Sequence, residues 1–127
     1  MPVTIKGEQI TVLRTGAAYD YLLASFTRDG TWRDLDLSSI LPADTTKFWC
    51  RAIARADTAS GKVFGLRENG RTGDSDSHFV VTAVAAKDTY ADLGPIGVDG
   101  NRKCEYYATN ESGFAWGNLS LVITAYE

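Results

Sequence analysis

Residues 31–70 read TWRDLDLSSILPADTTKFWCRAIARADTASGKVFGLRENG, and their pattern indicates the fold class. Between residues 48 and 55, small or aromatic positions alternate with bulky or charged ones, the period of two that is typical of a strand with two different faces. Phe64 and Leu66 alternate with their neighbours in the same way. They are followed by Asn69-Gly70, a pair that favours a tight hairpin turn. The stretch therefore predicts antiparallel β-structure.

The rest of the chain repeats this pattern, with strand-like runs separated by turns rich in Gly, Asn and Asp. The residues 38–46 favour a corner that carries the chain from one sheet to the other. Together the runs predict an all-β fold, a single antiparallel β-sandwich that is jelly-roll-like, with under a tenth of the residues in helix. The predicted strands are 3–6, 9–14, 19–26, 31–37, 47–56, 62–67, 78–85, 102–108 and 119–126.

The first twenty residues differ from the rest because aliphatic residues there are interrupted by glycines. We expect residues 1–20 to form an N-terminal arm or edge hairpin and residues 21–127 to form the β-sandwich domain. Ile5, Ile10 and Val12 are candidate interface residues, since pairing with a neighbouring subunit or a particle surface would bury them.

The apolar members of the clearest strands form the predicted core. Ile53 is included although it lies opposite Phe48 in the alternation of its strand. The predicted core residues are Phe48, Ile53, Phe64, Leu66, Phe79, Val81, Leu119, Leu121 and Ile123.

Charge and composition exclude several classes of protein. The formal net charge is −3, which argues against general nucleic-acid binding, since such proteins neutralise several phosphates. Arg51 and Arg55 would share one strand face, which is either a small basic patch or, more often, a pair of solvated charges that deter edge pairing. No apolar run is long enough to cross a bilayer, and the N-terminus lacks the pattern of a signal peptide. We therefore expect synthesis in the cytosol and no membrane partner.

Two cysteines lie far apart in the sequence, each on a strand face that also carries an aromatic residue. In a reducing cytosol, Cys50 and Cys104 are expected to be buried, reduced thiols, with a disulfide as the alternative. A zinc site needs more ligands than these two cysteines and the single His78 supply, so no metal is expected.

No group of residues predicts catalysis or cofactor binding. His78 has no nucleophile-elbow pattern nearby, and we interpret it as an exposed residue at the start of a strand. Asp74 and Asp76 match the first acidic positions of a calcium-binding loop, but the Gly and Glu of that motif do not follow. Asp34 and Asp36 share a strand face, which alternation in an exposed strand produces by chance. The sequence thus predicts no enzyme activity, no catalytic residue and no cofactor.

Aromatic residues are the remaining candidates for a binding site. Most of them should pack the core, but Phe114 and Trp116 lie in a Gly-flanked segment before the last strand, where a loop would expose them. Tyr106-Tyr107 place one ring on each face of a strand. Phe114, Trp116 and Tyr107 are therefore the candidate exposed aromatic contacts.

One resemblance adds to these observations. The segments Trp32…Leu35-Asp36-Leu37-Ser38…Leu41-Pro42-Ala43, Phe64-Gly65-Leu66-Arg67-Glu68-Asn69-Gly70, Val98-Asp99-Gly100…Glu105-Tyr106 and Leu121-Val122-Ile123-Thr124-Ala125-Tyr126 resemble small β-sandwich modules of tailed bacteriophage virion proteins. Such modules occur in capsid decoration proteins, head fibres and tail-fibre or tail-tip domains, usually as symmetric oligomers. The resemblance has no invariant reactive residue, so no functional residue is carried over.

Two hypotheses follow. The first is a non-enzymatic structural protein of a virion, most simply a capsid decoration or stabilising protein, made in the host cytoplasm. It would attach as a homo-oligomer to the major capsid protein or a tail protein, without nucleic acid or membrane. The alternative is a carbohydrate-binding or receptor-binding module of a phage tail.

Overall fold

The structure, a computed structural model, describes residues 4–5, 8–9, 11–14, 18–73 and 77–127. In this part of the chain the regular structure is almost entirely β-strand, with a single short 3-10 turn. The elements in chain order are β1 (Thr4–Ile5), β2 (Glu8–Gln9), β3 (Val12–Leu13), the 3-10 turn (Leu23–Ser25), β4 (Arg33–Asp36), β5 (Lys47–Ala56), β6 (Val63–Glu68), β7 (Ser77–Val81), β8 (Thr89–Gly97), β9 (Lys103–Ala108) and β10 (Trp116–Tyr126).

Eight strands form two four-stranded sheets, and every pairing is antiparallel. Sheet I has the order β3-β10-β5-β8, and sheet II has the order β4-β9-β6-β7. Apart from the β6–β7 hairpin, the chain changes sheets at each connection between these strands. This strand order is that of a jelly roll. The predicted all-β sandwich is therefore confirmed, while β1 and β2 form a separate two-stranded sheet.

The longest pairing, between β5 and β10, sets the centre of sheet I. Leu121 lies opposite Ala52, and Leu119 lies opposite Ala54, so large side chains of one strand meet small ones of the other. All four of these residues are fully buried. The alternation that predicted β5 reflects this arrangement, because its small residues face the core and leave room for leucines from β10.

The predicted core is largely confirmed. Six predicted residues are almost completely buried in it, namely Phe48, Phe64, Leu66, Leu119, Leu121 and Ile123. Ile53 is only 5% exposed, but it lies on the outer face of sheet I, opposite Tyr90, and outside the core cluster. Phe79 and Val81, however, are 41% and 49% exposed, so their assignment to the core was wrong. The run from Phe79 to Val81 is apolar on both faces, and it is Val80 and Thr82 that face inward.

Several strand predictions need correction. Residues of the predicted strand 9–14 fall in β2 and β3, and the strand predicted over 78–85 ends at Val81. The predicted strand 19–26 is irregular: Tyr21 forms an isolated bridge with Leu121, and a 3-10 turn follows it. Phe26 then enters the core, with its ring 5.0 Å from Phe64 and 5.1 Å from Tyr106, both edge to face. The strand β8 was not predicted, because Gly94-Pro95 interrupts its alternation.

The two predicted turns behave differently. Asn69-Gly70 forms a β-turn in which the Arg71 amide donates to the Glu68 carbonyl at 3.1 Å, and Gly70 has a φ of +85°. The tight hairpin was wrong, since β7 does not begin until Ser77. The corner after β4 does carry the chain from sheet II to sheet I.

The sandwich begins upstream of residue 21. Val12 and Leu13 pair with Tyr126 and Ala125 of β10, so β3 is an edge strand of sheet I within the segment predicted to be an arm or edge hairpin.

Candidate contact surface

The outer face of sheet I is built by the residues of β5 that do not enter the core. Cys50 and Ala52 point inward, so Arg51 and Ile53 point outward. The pairing with β8 places Arg51 opposite Asp92 and Ile53 opposite Tyr90. The alternation of β5 and its pairing with β8 therefore place Asp92 beside Arg51 and Tyr90 beside Ile53 on the outer face.

Arg51 and Asp92 form an ion pair at the centre of this face. The Arg51 Nε donates to Asp92 Oδ1 at 3.0 Å. This hydrogen bond, reinforced by the opposite charge, raises the pKa of Arg51 above its usual value. The two side chains remain 52% and 73% exposed, so water screens the pair and it adds little to the stability of the fold. Both charges are accessible to a second surface.

Exposed apolar side chains lie on either side of the ion pair. Tyr90 is 62% exposed, and Leu13, on the edge strand β3, is 76% exposed. Trp49 is half-buried, and its indole leans over Gly94, where a Cβ atom would come within 2.8 Å of the ring. We call Leu13, Trp49, Arg51, Tyr90 and Asp92 together the Arg51–Asp92 face.

The face is not flat. A depression of about 300 Å³ is lined by Arg51, Tyr90, Ala91 and Asp92. A shallow groove of about 430 Å³ adjoins it and is lined by Leu13, Trp49 and Gly94 among others. Asp92 borders both. Together they form a concave strip with a charged centre and apolar ends, which suits an area contact more than the enclosure of a small molecule.

Sequence reasoning named Arg51 but did not find Asp92, Tyr90 or Leu13 as surface contacts. The proposed basic patch is neutralised: Arg51 pairs with Asp92, and Arg55 pairs with Asp57 at 3.2 Å and Asp88 at 3.6 Å. The signal that was available is the alternation of Tyr90 and Asp92, which marks the outward positions of β8 once that strand is recognised.

The second surface contains Tyr107, which was predicted to be an exposed aromatic contact and is half-buried on the outer face of sheet II. Its ring lies 5.5 Å from Trp32, which in turn lies 6.1 Å from Phe79. The Arg67 guanidinium is 4.1 Å from the Trp32 ring and also donates to Glu105 at 2.8 Å. We call Trp32, Arg67, Phe79 and Tyr107 the Tyr107 cluster.

The structure does not expose Phe114 and Trp116. They are only 8% and 4% exposed, and their rings pack edge to face at 5.4 Å. Trp116 already belongs to β10, and its Nε1 donates to the Thr109 carbonyl at 2.9 Å. The prediction that these two rings are surface contacts was wrong, because Trp116 starts a sheet strand and both rings belong to the core cluster.

The predicted interface residues are placed only in part. Val12 is half-buried in β3. The backbone of Ile5 lies in β1, while its side chain and the whole of Ile10 lie outside the described residues. Asp74 and Asp76 are also outside them. His78 is half-buried in β7, opposite Leu66.

Both thiols are free and buried, as predicted. Burial raises the pKa of Cys50 and of Cys104 well above the usual range for a thiol, since the core does not solvate a thiolate. They are therefore inert groups of the core at neutral pH.

Across residues 4–5, 8–9, 11–14, 18–73 and 77–127, no cluster of three or more His, Cys, Asp or Glu side chains could hold a metal ion. Within the same ranges no helix is long and apolar enough to span a bilayer.

Comparison with known proteins adds no further assignment: no family model, curated protein or solved structure matches this chain.

Proposed function

We propose that this chain is a non-enzymatic structural protein of a tailed bacteriophage virion, a capsid decoration or stabilising protein that attaches as a homo-oligomer. It would be made in the host cytoplasm and then incorporated into the particle through the major capsid protein or a tail protein. The observation that carries the proposal is the Arg51–Asp92 face. Exposed Tyr90 and Leu13 surround an exposed ion pair there on the outer face of a jelly-roll sheet.

Such a face suits adhesion through contact area. Large side chains exposed beside charges are the composition of interfaces between proteins, where aromatic residues supply the area and charges fix the register. The jelly roll is also an architecture used by viral capsid domains. A single modest contact becomes effective when many identical copies bind a repeating lattice, because each additional contact is made at a high effective concentration.

The test is the location of the protein. Particles of the phage that encodes the chain would be purified by density gradient and analysed by quantitative mass spectrometry with isotope-labelled peptides of this sequence. The expected result is many copies per particle, in a fixed ratio to the major capsid protein or to a tail protein. Host proteins of similar abundance in the lysate serve as the control for adsorption. Absence of the protein from washed particles would contradict the proposal.

The Tyr107 cluster favours a second candidate, a carbohydrate-binding module. Phe79 leaves 41% of its surface exposed beside Trp32 and the paired Arg67 and Glu105, so flat rings lie next to hydrogen-bonding groups. Binding to a glycan array that is lost in Phe79→Ala, and retained in the matched Tyr90→Ala variant, would support this function. Trp116 is buried and is therefore not a suitable site for that test.

A further inference from the structure

We propose that two copies of this chain pair face to face through the β5 and β8 residues of the Arg51–Asp92 face, around a two-fold axis that runs along the strands midway between β5 and β8. In this pair, each Arg51 reaches the partner's Asp92. The inference rests on the homo-oligomeric contact of the proposed function and names the surface that makes it.

The register of the sheet determines this symmetry. Arg51 and Asp92 are directly opposite each other on neighbouring strands, which are about 4.8 Å apart. A two-fold axis parallel to the strands and between them exchanges the positions of β5 and β8. Arg51 of one copy then lies above the partner's Asp92, and two salt bridges form across the interface. An axis perpendicular to the strands would instead place Arg51 above Arg51, which like charges oppose.

The apolar residues fit the same axis. Tyr90 and Ile53 are also directly opposite each other on β8 and β5, so the axis places Tyr90 of one copy over the β5 position of the partner's Ile53, which is itself only 5% exposed. Tyr90 is 62% exposed in the single chain, and this contact would cover it. The 300 Å³ depression beside Arg51 and Asp92 offers space for an approaching side chain.

Charge selects a second copy as the occupant. The face presents one cation and one anion at equivalent distances from the axis, so it is complementary to itself. A strongly acidic or basic partner would satisfy only one of them. The edge of the sheet is a poorer contact, because Pro95 of the edge strand β8 has no N–H group to pair with an added strand.

The experiment uses two charge-reversal variants, which are measured separately and as a mixture. In a face-to-face pair, Arg51→Asp carries two negative charges on the face and Asp92→Arg carries two positive ones, so neither variant should pair with itself. An equimolar mixture of the two should pair again, because each copy then meets opposite charges. Native mass spectrometry and light scattering after gel filtration give the mass of each sample.

We expect the wild-type chain and the mixture to contain the paired form, and each variant alone to show at least about a tenfold weaker association, or a halved mass. Asp29→Arg and Arg33→Asp reverse another exposed ion pair and should leave the mass unchanged. Circular dichroism confirms that each variant is folded. The uncharged variant Tyr90→Ala should also weaken pairing, which tests the contact without adding a charge.

Three results would overturn the pairing. The first is a wild-type chain that stays monomeric at about 100 times the protein concentration used for the variants. The others are an unchanged mass in both charge reversals, or a mixture of the two variants that stays monomeric. Location in particles is a separate measurement. If the protein is present in particles but the mixture does not pair, the pairing is wrong and the virion role stands. If the mixture pairs but particles lack the protein, the virion role is wrong.

Discussion

The carboxylate of Asp20 accepts a hydrogen bond from the backbone amide of Ile123 at 2.8 Å. Arg14, which is paired with Asp20 at 2.6 Å, donates to the carbonyl of the same Ile123 at 3.0 Å. Both polar backbone groups of one residue of β10 are thus bonded to side chains rather than to a neighbouring strand. The Arg14–Asp20 pair continues the edge of sheet I beyond the short strand β3.

Removing this carboxylate should destabilise the protein. Asp20→Ala leaves the Ile123 amide without its acceptor and removes the carboxylate partner of Arg14, and we expect a loss of about 1–3 kcal/mol in the free energy of unfolding, measured with urea. Hydrogen exchange of the Ile123 amide should accelerate. The control is Asp29→Ala, which breaks an exposed ion pair with Arg33 and should cost less than about 1 kcal/mol. Equal losses in the two variants would contradict this role of Asp20.

Two leucines at different depths test the facing of the strands. Leu121 is fully buried in the centre of β10, so Leu121→Ala should cost about 2–5 kcal/mol. Leu13→Ala makes the same chemical change at an exposed position and should stay within about 0.5 kcal/mol of wild type. Denaturant midpoints at equal slope give both values. An unchanged midpoint for Leu121→Ala would mean that the Leu121 side chain points away from the core.

Gly65 should be sensitive to substitution because of one aromatic ring. A Cβ atom there would come within 2.5 Å of Phe79 Cδ1, so Gly65→Ala must displace the ring and should cost about 1–3 kcal/mol. In the Phe79→Ala background the same substitution should be neutral or stabilise by about 0.4–1 kcal/mol, since the space is free and alanine restricts the unfolded chain. Equal effects in both backgrounds would show that the ring is not the cause.

The buried thiols predict a loss of stability at alkaline pH. An unfolded thiol ionises near its usual pKa of 9.0, while burial holds the pKa of Cys50 and Cys104 higher in the folded state. Above pH 9 the unfolded chain therefore releases protons that the folded chain keeps, and stability falls by about 1.4 kcal/mol per pH unit for each thiol. Below pH 9 the thiols contribute no pH dependence.

Urea unfolding at pH 8 and pH 10 tests this in wild type and in the double variant Cys50→Ala/Cys104→Ala. Tyrosines and lysines titrate in both proteins, so the difference between the two pH dependences isolates the thiols. The wild type should lose more stability between the two pH values. Parallel losses would contradict the assignment, and a mass two protons lower with no alkylation would show a disulfide instead.

The N-terminal residues remain a predicted interface. Deleting residues 2–10 should leave the circular dichroism of the sandwich unchanged, because Val12 and Leu13, which pair with β10, are retained. Oligomer formation or attachment to particles should weaken, since Ile5 and Ile10 are lost. Deletion through residue 15 is unsuitable, because it also removes β3. Assembly that equals that of the full chain would exclude this segment from the contact.

Strands in which one face is small or apolar could be predicted from the sequence. In β5 and β10 the alternation is uninterrupted for most of their length, so both the strand and its buried face could be predicted. In β7, apolar residues occupy both faces, and the pattern could not decide between Phe79 and Val80. The inward side is fixed by pairing with Phe64 of β6, which is a tertiary fact.

The candidate surface was harder to predict than the fold. The Arg51–Asp92 pair joins residues far apart in the sequence, and its existence depends on β8 pairing with β5 in one register. That strand was not predicted, because Gly94-Pro95 interrupts its alternation. The rings of Phe114 and Trp116 were misplaced for a related reason, since Trp116 starts β10 and the burial of both rings depends on tertiary packing in the core.

The same Gly94-Pro95 step also limits how the exposed edge of β8 can pair with strands of other chains. An exposed strand edge can recruit identical strands without limit and so seed fibrils. On β8 the missing N–H of Pro95 and the irregular register beside Gly94 remove regular hydrogen-bonding positions from that edge. The step that interrupts the alternation of β8 thus makes this edge a poor template for the addition of further strands.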